Sequence, residues 1–218
     1  MRSVVVRLAG APGCGKTHML ATFPAPLAIF DYDGGVVDII PKFPDKEIKV
    51  YDLRLPIQWS SKKKTYGKEE WAFFLDAYEK ALDSYKTIGI DTGTSMWGLV
   101  RAAYSEEVGK MLLTYMYGEP NARMGAIVQW AKEAGVNLVL THHVRRIYVD
   151  EKATGEMESD GWSHLGDLVD WSLMMQLVKD KSGDVYTEGV IDKCRLDRSL
   201  TWQSLIDPSY EKLEALVG

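Results

Sequence analysis

The stretch LAGAPGCGKTHML, residues 8–20, sets Gly10, Gly15, Lys16 and Thr17 at the spacing G-x-x-x-x-G-K-T, with Gly13 as a further glycine. A loop of this kind turns successive backbone N–H groups toward an anion, which side chains would obstruct. The helix that follows offers its N-terminal dipole to the same phosphates. Lys16 is expected to reach the β- and γ-phosphates of a nucleotide, and the Thr17 hydroxyl to ligate Mg²⁺. Ala11, Pro12, Cys14 and His18 complete the predicted ATP cradle over residues 10–18. The side chain of Cys14 takes a variable position in the loop, so no redox role is assigned to it.

A phosphate loop of this type needs an acid on a neighbouring strand to hold the water shell of the magnesium. KTIGID supplies Asp91, with Thr92, Gly93 and Thr94 just beyond. Apolar strand residues carry that carboxylate to the carboxyl edge of a sheet, where ligands of open α/β sheets bind. The span from Thr17 to Asp91 leaves room for a strand between the two motif strands. Asp91 has no acid beside it, so a general base must come from elsewhere. AIFDYDGG offers Asp31 and Asp33, two residues apart and so on one strand face. Either could polarise an attacking water; the competing role is to form the turn before Gly34-Gly35, and it weighs more on Asp31 than on Asp33.

These residues require a scaffold of short strands and intervening helices, and the chain reads that way. Strands are predicted at 3–10, 26–35, 47–53, 85–91 and 136–143. Helices are predicted at 16–23, stopped by Pro24 and Pro26, at 69–84 with an apolar face at Phe73, Phe74, Ala77 and Ala81, after the strand and turn of 85–97 to about residue 117, and at 121–134. Segments 168–178, 185–196 and 201–206 read as further strands, and 208–217 as a terminal amphipathic segment. The expected fold class is α/β: a mostly parallel central sheet flanked by helices, with antiparallel strands at the C-terminal edge. No repeat or linker interrupts it, so 1–218 is read as one domain.

Composition narrows the class. The 218 residues are 46% hydrophobic and 26% charged, the balance of a globular protein with one sizeable core. No apolar run approaches a membrane span, and Arg7 and the glycines interrupt any leader-like start, so no membrane is expected. Cys14 and Cys194 form no CxxC, which predicts a disulfide-free cytoplasmic protein. A net charge of −5 argues against a protein that coats nucleic acid, so any such contact must be local.

The order of these features resembles the ATPase core of RecA-like recombinases. More closely, it resembles the small phage-encoded RecA-like ATPases associated with single-strand annealing, over roughly residues 3–200. The resemblance implies that Asp33 is the general base, where RecA has a glutamate. It implies that NLVLTHH is the γ-phosphate-sensing strand, with His143 the sensor in place of an amide and His142 its neighbour. Residues 144–162 are similar to the mobile DNA-contacting loop of the family. Arg145 and Arg146 would meet phosphates there, and Tyr148 or Trp162 would stack on bases, although Asp150, Glu151, Glu156, Glu158 and Asp160 crowd the same stretch. In VIDKCRLDRS, Lys193 and Arg195 match the paired cations that reach the nucleotide of the next subunit. The site would then be completed only in a homo-oligomer. Because the chain begins at its first core strand and carries no appended DNA-binding domain, a ring or a DNA-assembled filament is expected.

The implied function is an Mg²⁺-dependent, DNA-stimulated ATPase acting on single-stranded DNA, in a bacterial host cytoplasm if phage-encoded. Two other classes remain open. One is a small-molecule or nucleoside kinase, which the loop also suits. The other is a binding module gated by ATP with negligible turnover. Lys62, Lys63 and Lys64 form a second basic spot, read as a solvated loop.

Overall fold

The computed structural model describes residues 2–53 and 67–218; Lys62, Lys63 and Lys64 lie outside them. β1 (Val5–Gly10) runs into the glycine loop, and α1 (Lys16–Ala21) leaves it. β2 (Leu27–Asp31), two 3₁₀ turns (Val36–Asp38 and Ile40–Lys42) and β3 (Ile48–Asp52) follow. Then come α2 (Gly67–Ser84), β4 (Thr87–Asp91), α3 (Gly93–Val108), α4 (Gly118–Ala134) and β5 (Asn137–His142). A hairpin of β6 (Val144–Val149) and β7 (Lys152–Ser159) projects before the short α5 (Leu165–Leu168). β8 (Trp171–Lys179), β9 (Val185–Cys194), β10 (Ser204–Ile206) and α6 (Tyr210–Val217) close the chain.

The main sheet has the order β10-β9-β8-β1-β5-β4-β2-β3. Neighbours from β8 to β3 are parallel, and β9 and β10 are antiparallel additions at one edge. This is the expected α/β architecture. A strand does stand between the phosphate-loop strand and the Asp91 strand, but it is β5, which follows Asp91 in the chain; β2 and β3, the strands of the long interval, lie on the far side of β4. The inner strands are buried on both faces, which explains their continuous apolar runs.

One core lies under α2, α3 and α4, where Phe30 packs with Phe74 and Tyr78. The other lies on the α1 and α6 side, around Leu8, Leu20, Phe23 and Leu173. The α2 stripe differs from the expected one. Trp71, Phe74, Ala77, Tyr78 and Ala81 are buried, whereas Phe73 is 52% exposed. Positions 71, 74, 78 and 81 follow the helical repeat, and Phe73 falls outside that arc. Helical sequence beyond residue 108 breaks at Gly109 and resumes as a 3₁₀ turn at Thr114–Met116. Among the described residues no helix is long and apolar enough to cross a membrane.

Candidate functional site

The carboxyl ends of β1, β2, β4 and β5 bring Gly10, Asp31, Asp91 and His142 to one edge of the sheet. Two glycines shape the loop there. A Cβ on Gly10 would stand 2.3 Å from the Met175 carbonyl oxygen, so the strand can pass β8 only without a side chain. Gly15 holds φ +87°, a left-handed conformation that starts α1 with no side-chain cap. The helices α3 and α6, by contrast, are capped: Thr92 accepts from the Ser95 N–H, and Ser209 from the Lys212 N–H. The first-turn N–H groups of α1 are thus left without such a partner at the loop.

Lys16 donates to the carbonyl oxygens of Gly10 and Ala11, at 2.9 and 2.8 Å, with the Cys14 sulfur 3.8 Å away. Cys14 is buried, while Ala11, Pro12 and Gly13 form the exposed crest of the loop. Thr17 Oγ1 donates to Asp91 Oδ2 at 2.7 Å, and the Thr141 hydroxyl donates to the other Asp91 oxygen. Burial holds the Asp91 carboxyl above its ordinary value; the bonds from Thr141 and Thr17 pull it down, and the nearby Asp31 and Asp33 push it up again. A hydroxyl and a buried, incompletely compensated carboxylate form a hard oxygen pair. That pair fits a magnesium ion carrying its own waters and nucleotide phosphates.

Asp31 and Asp33 divide cleanly. Asp31 is buried and accepts the N–H groups of Asp33, Gly34 and Val36, which makes it the organiser of the turn after β2. Asp33 stands partly in solvent. It accepts from Ser95 Oγ at 3.2 Å, and its other oxygen lies 3.1 Å from His143 Nε2. The expected base and the expected sensor, 110 residues apart in sequence, therefore touch.

His142 points the other way. Its Nδ1 lies 2.8 Å from the Asp160 carbonyl and so carries the proton there, its Nε2 is unpartnered, and burial pushes the imidazole down to about 4. Thr94 Oγ1 donates to the same Asp160 carbonyl and accepts from the His143 N–H. The root of the hairpin is thereby tied to β5 and to the start of α3.

The hairpin itself departs from expectation in two places. Arg145 is paired with Glu158 at 2.9 Å and lies 3.8 Å from Asp160, so the acids that crowd this stretch neutralise it. Trp162 is buried, its Nε1 donating to Asn121, and is unavailable for stacking on bases. Arg146, Tyr148, Val149 and Met157 are exposed.

Lys193 and Arg195 do not join the phosphate loop of their own chain. Lys193 lies opposite Ser172, which lies opposite Arg7 at the middle of β1, so β9 carries the pair toward the other end of the sheet. There Lys193 donates to the Gly166 carbonyl, Arg195 to that of Asp167 and Lys132 to that of Leu168. Three cations thus satisfy the last carbonyls of α5.

A cleft of about 620 Å³ runs from the loop across the α1 face. Lys16, Thr17 and His18 form one end, with His18 tilted against Phe43 at 5.1 Å. Asp38 and Lys42 form one wall, Thr187 and Asp207 the other. Sequence reasoning missed both walls, and Thr141 and Ser95 with them. Thr141 alone left a signal, as a polar residue inside an apolar strand.

Residues 2–192 match the AAA domain family. Among solved structures, the chain is similar to a KaiC-like protein from the hyperthermophilic archaeon Pyrococcus horikoshii OT3. The TM-score is 0.57 and the identity 14%, over 94% of this chain and 85% of that one. At that identity the likeness is one of fold. No curated protein matches the chain in sequence.

Proposed function

The chain belongs to the AAA domain family, with a RecA-like P-loop ATPase fold, and on that premise we propose that it hydrolyses ATP with Mg²⁺ and couples turnover to single-stranded DNA in recombination or annealing. The observation that carries the proposal is the meeting of Lys16, Thr17–Asp91 and Asp33–His143 at one sheet edge beside a cleft of nucleotide size.

Each side chain has a task that its surroundings favour. The backbone N–H groups of the loop and Lys16 bind the phosphates, with Lys16 exchanging its two loop carbonyls for phosphate oxygens. Thr17 and Asp91 would hold the magnesium, which supplies charge neutralisation on the phosphates. Asp33, half-exposed and steadied by Ser95, is the carboxylate placed to take a proton from water. His143, against Asp33 and at the foot of the hairpin, would sense what occupies the site. Arg146 and Tyr148 on the exposed hairpin would meet the DNA backbone and bases. Lys193 and Arg195 would act on a neighbour's nucleotide in a homo-oligomer only after releasing the α5 carbonyls.

The test is ATP hydrolysis with and without single-stranded DNA, using Lys16→Ala as the blank. Turnover that DNA raises, with DNA binding that weakens as salt increases, is the expected result. Turnover indifferent to DNA, with no salt-sensitive binding, overturns the DNA reading. Nucleotide binding without turnover leaves an ATP-gated module.

A further inference from the structure

Far from the nucleotide edge, the C-terminal halves of α2 and α4 leave a groove of about 490 Å³. Its floor is apolar: Leu75 and Leu82 on α2, and Trp130 on α4, which is 42% exposed. Its rim is acidic, with Glu79 and Asp83 on α2 and Glu133 on α4, and no basic side chain lines it among the described residues. Glu133 accepts from Gln129; for Glu79 and Asp83 no hydrogen bond or ion pair is made within the described residues.

The position of these acids is electrostatically unfavourable. Asp83 and Glu133 sit in the last turns of their helices, beside the negative ends of two macrodipoles, where cations are the stabilising choice. The last turn of α2 carries no base, and the base in that of α4, Lys132, is turned away to the Leu168 carbonyl. The acids, two helix ends and an open indole therefore concentrate negative potential over apolar surface. Within the described residues only the Gln129 amide, donating to Glu133, offsets that arrangement, whereas a cationic ligand with aliphatic side chains would satisfy all of it.

We propose that this groove docks a basic amphipathic helix of a partner protein. Its aliphatic side chains would lie between Leu75, Leu82 and Trp130, and its lysines or arginines would meet Glu79, Asp83 and Glu133. This is helix-in-groove recognition with charge setting the register, and a cation over the Trp130 ring adds attraction. The groove is separate from the nucleotide edge, so the proposal does not depend on the reading of that site.

The test titrates the full chain with a synthetic amphipathic helix of leucine and lysine, and with its glutamate-for-lysine counterpart, by calorimetry. The lysine peptide is expected to bind, more weakly as salt rises, and the glutamate peptide not to bind. Glu79→Lys with Asp83→Lys, and separately Trp130→Ala, should each weaken binding about tenfold or more. These are exposed positions, and circular dichroism checks that the variants fold. A matched double reversal on the hairpin, Glu151→Lys with Glu156→Lys, should leave binding unchanged. Equal weakening by the hairpin reversal would mean diffuse attraction to an acidic chain and overturn the proposal. So would absence of binding, or a groove reversal that instead dissolves a homo-oligomer, which would make a second copy the occupant.

Discussion

The phosphate loop and the root of the β6–β7 hairpin stand at the same edge of one sheet, yet they use polar groups in opposite ways. At the loop, α1 starts on a glycine without a side-chain cap, and Lys16 holds only acceptors of the loop itself, two carbonyls and the Cys14 sulfur. At the hairpin root, the Asp160 carbonyl takes both His142 and Thr94, and Arg145 is held by Glu158. The first region keeps its donors on partners that a phosphate can replace. The second spends them on the fold. Polar groups intended for a ligand can be recognised by how cheaply the protein can release them.

The largest effect should come from the open region. Lys16→Ala is expected to lower ATP binding and turnover by about 10²-fold or more, read by calorimetry and phosphate release. Unchanged binding would show that the cleft holds nucleotide without the loop, and the contrast would collapse. Asp33→Ala should cost about 10²–10⁴ in turnover while ATP binding survives. Asp31→Ala should instead lower stability by about 1–3 kcal/mol in urea unfolding, since three backbone N–H groups lose their acceptor. If Asp31→Ala stops turnover in a fully stable protein, the division between the two acids is wrong.

The closed region should show itself in pH dependence. His142 is neutral in the folded chain, its pKa lowered from 6.5 to about 4 by burial. A depressed folded pKa means that its contribution is present above pH 6.5 and is lost as pH falls toward 4. The loss should approach about 3 kcal/mol. His142→Gln should flatten that part of the stability profile; an unaltered slope would mean that the hairpin root is wet. The smallest effect is expected at α5, where Lys193→Ala and Arg195→Ala should each cost about 0.5–1.5 kcal/mol of stability. Mixing Lys193→Ala with Asp33→Ala protein then separates two roles. Restored turnover supports a cation shared between subunits, and none restricts Lys193 to holding α5.

How far the sequence could be read depended on whether a residue's partner was local. The glycines, Lys16 and Thr17 act through a loop that is contiguous in the chain, so their spacing carried their chemistry. The strand ending at Asp91 announced itself by its apolar run. Phe73 was misplaced because a pair of adjacent aromatics can satisfy a helical face only one at a time. Thr187 and Asp207 left no local sign. They reach the cleft through the antiparallel register of β9 with β8 and β10, which short-range pattern does not encode.

The sequence by itself therefore determined the phosphate loop, the acid strand and the alternation of strands and helices, because each follows from neighbours a few residues apart. Tertiary structure alone decided which acid of the Asp31 and Asp33 pair stays open, that His143 meets Asp33, and that Lys193 and Arg195 turn to α5. Those outcomes depend on which backbone donors and acceptors remain unpaired after the sheet has formed, and only the folded chain settles that balance.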